Sequence, residues 1–197
     1  MINDIQSHYD LLILESNDPV LDPPELQKHM DKWDGQIFID LLGLSKTKSA
    51  LEVGCGTGRL AVRIAPFVKS FYGIDISPKT IETAKTHLPY DNTTLICADF
   101  LTHKFDMTFD IIYSSLTFMH IENKENAIKI VSNLLGDNGR FVLSIDKNQS
   151  EIIDYSTRKI KVYPDNPESL ISLLEKNDFI EIEKYETDFA YILAANK

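Results

Sequence analysis

The chain has 197 residues, 43% of them hydrophobic and 25% charged, so it can bury one sizeable core and forms one domain. Its formal net charge of −10 disfavours nucleic-acid substrates, because nucleic-acid binding usually requires a basic face. No apolar run is long enough to span a membrane, the start lacks a signal-peptide pattern, and two cysteines do not make a disulfide framework; we therefore expect a cytoplasmic protein.

Residues 1–45 precede the first predicted strand, and we interpret them as a helical cap segment on a core of residues 46–197. Apolar side chains spaced three and four residues apart predict one helix that begins at Pro24 or Glu25 and ends at Leu42. This helix would bury one apolar face against the sheet; its residues are Leu26, Met30, Trp33, Ile37, Leu41 and Leu42.

A glycine-rich turn lies at the centre of the sequence pattern. An apolar run that ends at Val53 predicts a buried strand, Gly54, Gly56 and Gly58 follow at alternate positions, and a helical pattern starts near Gly58. The glycines lack the Cβ atoms that would keep a ligand from the backbone, and they permit positive φ. A helix that begins there offers unpaired N–H groups and the positive end of its dipole. The stretch therefore predicts a site for a nucleoside-like cofactor.

The spacing of the glycines discriminates between cofactor classes. Dinucleotide-binding turns follow G-x-G-x-x-G, whereas this sequence has G-x-G-x-G and places Arg59 where that pattern has its third glycine. Glu52, two residues before the first glycine, would bring a carboxylate near a pyrophosphate, which is unfavourable. A ligand with a positive charge suits that position better.

Two further predicted strands end in acidic residues. Residues 70–75 end at Asp75, and residues 95–100 include Asp99. At the carboxyl end of the strand beside the glycine turn, the Asp75 carboxylate can accept hydrogen bonds from both hydroxyls of a ribose. The alternative is a residue that only leads into the next helix, which Ser77 and Pro78 predict as N-cap and first-turn proline.

A fourth strand, residues 109–113, leads into a loop of residues 114–121. This loop would lie at the carboxyl edge of the sheet, where open α/β sheets bind their ligands. Within it, Ser114 and Ser115 are candidate ligand contacts. The unperturbed pKa range of a histidine would suit a general base, so we assign that role to His120 as a hypothesis, with loop packing as the alternative.

The remaining elements follow an alternating pattern. Apolar periodicity predicts a helix over residues 127–135, a turn at 136–139, a strand over 140–146, and a helix that begins near Asn166. Residues 179–183 and 189–194 predict two strands joined by a tight turn. Residues 147–163 predict no particular element.

Over roughly residues 35–197 the sequence resembles the class I S-adenosyl-L-methionine (SAM)-dependent methyltransferases, first in the stretch from Glu52 to Gly58 and then at the two acidic strand ends. The resemblance implies that Glu52 faces the methionine amino group, that Asp99 accepts from the adenine amino group, and that Phe100 packs on the adenine ring. The implied cofactor contacts are Glu52, Gly54, Cys55, Gly56, Gly58, Asp75, Ile76, Asp99, Phe100, Ser114 and Ser115.

The resemblance also implies a fold: a Rossmann-like α/β/α sandwich with a seven-stranded, mostly parallel sheet whose last strand is antiparallel. In similar proteins the N-terminal segment folds over the pocket, which makes Tyr9 and Trp33 candidate substrate residues. A core position for Trp33 and a surface anchor for Tyr9 remain alternatives. Tyr163 is a third candidate, because it lies where relatives carry substrate-specific insertions.

The expected function is transfer of the sulfonium methyl group of SAM to an unidentified small-molecule acceptor, with S-adenosyl-L-homocysteine (SAH) as product. We predict no metal site, and the sequence does not indicate an oligomeric state. The alternatives are a nicotinamide-dependent Rossmann oxidoreductase, which Arg59 and Asp99 disfavour, and a SAM-binding domain without catalytic activity.

Overall fold

The computed structural model describes residues 2–197, with side chains from Asp4 onward. The strands in this part of the chain are β1 Ile2–Asn3, β2 Ser49–Val53, β3 Ser70–Asp75, β4 Thr93–Cys97, β5 Phe109–Ser115, β6 Leu135–Asp146, β7 Ile152–Asp154, β8 Lys159–Lys161, β9 Ile180–Glu186 and β10 Ala190–Asn196. The α-helices are α1 Ile5–Leu14, α2 Pro24–Met30, α3 Gly35–Leu41, α4 Ala61–Ile64, α5 Pro78–His87, α6 Lys124–Leu134 and α7 Pro167–Lys176.

Seven strands form one sheet in the order β4-β3-β2-β5-β6-β10-β9. Neighbouring strands from β4 to β6 are parallel, whereas β10 is antiparallel to both β6 and β9. The predicted seven-stranded sheet with an antiparallel last strand is therefore confirmed. Strand order reverses between β2 and β5, and at such a point the loops diverge to opposite faces and leave a crevice for a ligand.

Helices cover both faces of this sheet, which gives the predicted α/β/α layers. Side chains alternate between the faces along each strand, so Leu51 and Val53 of β2 face one core and Ala50 faces the other. Helices α6 and α7 bury Ile128, Val131, Leu170 and Leu174 in the first core. Helices α3, α4 and α5 bury Phe38, Ile64 and Ala84 in the second.

The N-terminal segment differs from the prediction. The single helix expected up to Leu42 is two helices, α2 and α3, because the chain breaks at Asp34 and Gly35 has φ +65°. In addition, α1 forms although no helical period predicts it. The Asp4 carboxylate caps it by accepting from the Ser7 N–H, and the Asp10 carboxylate accepts from the Ser77 hydroxyl at the start of α5.

Three other predicted boundaries are wrong. The helix expected near Gly58 begins at Ala61 and is only four residues long, because Gly58 has φ +102° and a 3₁₀ turn that contains Pro66 follows at Ala65–Phe67. The fifth strand of the sheet, β6, begins at Leu135 rather than at residue 140. β4 ends at Cys97, so Asp99 lies just beyond the strand.

The stretch that predicted no element contains β7 and β8, which join β1 in a three-stranded sheet of order β1-β8-β7. Arg158 ties this sheet to α1. Its guanidinium donates to both carboxylate oxygens of Glu15, at 2.6 and 2.7 Å, and its Nε donates to Nδ1 of buried His8 at 2.9 Å. Among the described residues, no helix is both long enough and apolar enough to cross a membrane.

Candidate functional site

A cavity of about 340 Å³ lies at the carboxyl ends of β2, β3 and β5, beside the point where strand order reverses. Its wall combines the glycine turn, the ends of β3 and β4 and the loop after β5. The N-terminal segment supplies the rest of the wall through Ile5, Tyr9, Pro19 and Met30. This position and size are typical of a small-molecule site.

The glycine turn presents backbone to the cavity. Gly54 and Gly56 have φ of +74° and +55°, in the left-handed region that side chains rarely adopt. A Cβ at Gly54 would lie 2.0 Å from Oγ1 of Thr117, so glycine is required there by close approach as well. A Cβ at Gly56 would meet no atom of the described part of the chain within 4 Å, which leaves this side of the turn open for a ligand.

Glu52 places a carboxyl group in this wall at 3% exposure. It accepts a hydrogen bond of 2.9 Å from the Tyr113 hydroxyl, and burial raises the pKa of Glu52 to about 8 although this bond and Arg59 act against the shift. A buried carboxyl group with a raised pKa is stabilised in its charged form by a nearby cation. Glu52 therefore suits a positively charged ligand group.

Arg59 also lines the cavity, but its guanidinium is paired with Asp34. The Asp34 carboxylate is fully buried and also accepts from the Ser115 hydroxyl at 2.7 Å and from the Gly35 N–H at 2.7 Å. Sequence reasoning missed Asp34. The available signal was Arg59 itself, because a cation beside the turn requires a buried counter-ion.

Asp75 lies at the end of β3 with both carboxylate oxygens directed at backbone donors. Oδ2 accepts from the Gly56 N–H and Oδ1 from the Ser77 N–H, each at 3.0 Å. Because a carboxylate has about four acceptor positions, both oxygens can still accept from a ligand. Ile76, the next residue, is 37% exposed and lines the same cavity.

Asp99 and Phe100 line the cavity after β4. Oδ1 of Asp99 accepts from the Leu101 N–H at 2.8 Å, and this bond orients the carboxylate. Phe100 is 6% exposed and belongs to the core on the α6 side of the sheet. Cys55 also lies in the cavity wall and is buried.

Tyr9 and His120 meet in the cavity wall, with the Tyr9 hydroxyl 2.8 Å from Nε2 of His120. Burial, together with the neighbouring charges of His8 and Lys124, lowers the pKa of His120 to about 4, so the imidazole is neutral at pH 7. Burial raises the pKa of Tyr9, so its hydroxyl is protonated. Nδ1 of His120 has no hydrogen-bond partner among the residues that the structure describes.

Four candidate residues lie outside the cavity wall. Ser114 is buried and its hydroxyl donates to the Val53 carbonyl at 2.8 Å. Trp33 packs against the Phe189 ring, and its indole N–H donates to Asp146. Gly58 faces Leu88, and Tyr163 donates its backbone N–H to the Met119 carbonyl. The remaining candidates all line the one cavity.

Comparison with known proteins places the chain among methyltransferases. Residues 44–193 match the family model described as "Methyltransferase domain". The malonyl-[acyl-carrier protein] O-methyltransferase 1 of Ilyobacter polytropus is 29% identical over 86% of this chain and 69% of its own length. The sterol 4-C-methyltransferase of Caenorhabditis elegans is 28% identical over 52% of this chain, and the alignment spans 32% of that protein.

One solved structure shares the fold over nearly the whole chain. The N-methyltransferase NodS from Bradyrhizobium japonicum WM9, in complex with SAH, aligns with a TM-score of 0.74. The alignment covers 99% of each chain at 18% sequence identity. At this level of sequence identity, the similarity is evidence for the fold alone.

Proposed function

This chain belongs to the methyltransferase-domain family, and from that premise we propose that it transfers the methyl group of SAM to a small-molecule acceptor. One observation carries the proposal. Three carboxyl groups from separate parts of the chain line a single cavity beside an open glycine turn: Glu52 in β2, Asp75 at the end of β3 and Asp99 after β4. A small acceptor is supported by the modest volume of this cavity and by the N-terminal residues that cover it.

The residues present fit SAM. Asp75 would hold the ribose hydroxyls, because each of its oxygens retains acceptor capacity beyond the backbone bonds to Gly56 and Ser77. Glu52 would hold the ammonium group, since a cation removes the cost of ionising its buried carboxyl group. Asp99 would accept from the adenine amino group. The open side of Gly56 leaves space for the cofactor backbone.

When bound, SAM supplies a sulfonium leaving group, so the protein contributes mainly positioning and exclusion of water. The N-terminal residues Ile5, Pro19 and Met30 exclude water by covering the cavity with apolar side chains. Beside these apolar side chains, Tyr9 and His120 form a hydrogen-bonded polar pair in the cavity wall. We propose that they orient the acceptor, with neutral His120 accepting from the Tyr9 hydroxyl and the Tyr9 oxygen accepting from the acceptor.

Calorimetric titration with SAH tests cofactor binding. We expect micromolar affinity for the wild-type protein and a loss of at least about 100-fold for Asp75→Ala, because two hydrogen bonds to a charged group contribute roughly 1.5–3 kcal/mol each. Asp110→Ala is a matched control. Asp110 also accepts two hydrogen bonds, from the backbone N–H and the hydroxyl of Ser49, but it lies at the opposite edge of the sheet.

Unchanged SAH affinity in Asp75→Ala would contradict the assignment of the ribose site. Binding of NADH with no binding of SAM or SAH would contradict the proposed function and favour the oxidoreductase. Transfer of a labelled methyl group from SAM to added acceptors separates an enzyme from a domain that only binds the cofactor.

A further inference from the structure

Among the described residues, the cavity wall contains carboxylates but no free cation. Glu52, Asp75, Asp99 and Glu122 line it, and Arg59 is the only lysine or arginine among the described residues that does so. The Arg59 guanidinium is bound by the buried Asp34 carboxylate. A phosphate or carboxylate on an acceptor would therefore enter this space without a counter-ion, which is unfavourable for a charge removed from water.

Three of these carboxylates are already used by the proposed SAM site, which leaves Glu122. It lies on the loop after β5, is solvent-exposed, and makes no side-chain hydrogen bond or ion pair with the described residues. The neighbouring wall, formed by the N-terminal segment and the loop after β5, is largely apolar. Besides Ser115 and Thr117, whose hydroxyls donate to Asp34 and to the Ser115 carbonyl, its uncharged polar side chains among the described residues are the pair of Tyr9 with His120. The apolar residues are Ile5, Pro19, Met30, Leu116 and Ile121.

Resting on the proposed function, we infer that the acceptor is an amine attached to an apolar group, attracted as a cation by Glu122 and oriented as a neutral amine by Tyr9 and His120. The exposed carboxylate at the rim favours the ammonium form. Deeper in the cavity the apolar wall disfavours charge, so the ammonium loses one proton to water as it enters. The neutral nitrogen then has a lone pair available.

The methyl transfer requires only the neutral amine, SAM and water as the proton acceptor. The nitrogen lone pair forms the new N–C bond, and the electron pair of the breaking C–S bond remains on sulfur. The methylated ammonium then gives one N–H proton to water. No oxidant, reductant or metal is consumed.

The polar pair favours an amine over an alcohol. A neutral amine attacks without losing a proton first, whereas an alcohol must be deprotonated as it attacks. The same burial that keeps His120 neutral at pH 7 weakens it as a base, with a pKa of about 4. Tyr9 and His120 can therefore orient an N–H group but are poorly suited to ionise a hydroxyl group.

The test uses three series of straight-chain probes, primary amines, alcohols and carboxylates of four to eight carbons. Each is titrated into the wild-type protein saturated with SAH, and each is also assayed for methyl transfer from SAM. We expect amines to bind at least tenfold more tightly than carboxylates of equal length, and the product to be the N-methylated amine. Alcohols should bind weakly and remain unmethylated.

Substitutions of Glu122, at the rim of the cavity, test the contribution of its negative charge to amine binding. Glu122→Gln should weaken amine binding about two- to fivefold, as for one exposed ion pair, and Glu122→Lys should weaken it further while carboxylate binding improves. SAH affinity should not change in either variant. Glu125→Gln is the control, because Glu125 lies on α6, pairs with Lys176 and does not line the cavity.

Failure of the inference and failure of the proposed function give different results. If SAH binds but no amine in the series does, or if alcohols or carboxylates bind or react as well as amines, the inference is refuted and the proposed function stands. Unchanged amine affinity in Glu122→Lys also refutes it. Absence of SAH binding refutes the proposed function itself.

Discussion

Replacing Asp34 with asparagine should destabilise the fold by about 3–5 kcal/mol, the usual cost of leaving one buried charge of a pair without its partner. Asp34 is fully buried and accepts four hydrogen bonds, two of them from the Arg59 guanidinium, whose side chain is only 17% exposed. The substitution keeps the size of the side chain but removes the charge, so Arg59 becomes an unpaired buried cation.

Urea denaturation followed by far-UV circular dichroism gives the free energy of unfolding. Emission from Trp33, the only tryptophan, reports separately on the region beside the substitution. Asp31→Asn is the matched control. Asp31, three residues before Asp34, pairs with Arg63 at 3.1 Å, but their side chains are 42% and 33% exposed. We expect this control to cost less than about 1 kcal/mol.

A double variant separates charge from hydrogen bonding. Asp34→Asn combined with Arg59→Met removes both charges, and we expect most of the lost stability to return, because apolar replacement of a whole buried pair is often neutral. If Asp34→Asn costs no more than Asp31→Asn, the reasoning is refuted. If the double variant is as unstable as the single one, the loss comes from the Ser115 and Gly35 contacts instead.

Two further predictions concern His120 and Arg158, which contact Tyr9 and His8 on α1. The pKa of His120 is lowered to about 4 in the folded state, so its contribution to stability is complete above its unfolded pKa of about 6.5 and is lost as the pH falls toward 4. His120→Gln should remove up to about 3 kcal/mol of this pH dependence in denaturation titrations at pH 4–7; identical profiles would contradict the shift. Arg158→Ala should cost about 1–3 kcal/mol by leaving Nδ1 of His8 without a donor, and should speed hydrogen exchange in α1. Lys159→Ala, which removes an exposed ion pair with Asp154, should do neither, and equal effects of the two would refute the role of Arg158.

The sheet and the glycine turn could be predicted from the sequence because short stretches of neighbouring residues encode them. Apolar runs mark the parallel strands, and the alternate glycines mark a turn in which Gly54 and Gly56 have positive φ. The resemblance that these signals carry implies a seven-stranded sheet with an antiparallel last strand, which the structure confirms. Boundaries were less accessible, since the start of α4 depends on the conformation of Gly58 and on Pro66.

The contacts of the N-terminal segment with the rest of the chain could not be predicted in the same way. Its contacts join residues far apart in sequence, such as Tyr9 with His120 and Arg59 with Asp34, and no local pattern encodes such a pair. The break between α2 and α3 has the same origin. A periodic apolar face predicts a continuous helix, but the turn at Asp34 is fixed by hydrogen bonds that its carboxylate accepts from Arg59 and Ser115.

The placement of β10 bears on how the chain is synthesised. β10 follows the other strands in sequence, yet it lies inside the sheet between β6 and β9. Until residues 190–196 have left the ribosome, the backbone of residues 140–146 lacks its partner and remains an open template for pairing with another chain. We therefore expect the sheet to close only after translation of β10, and a nascent chain stalled before that strand to be prone to aggregation.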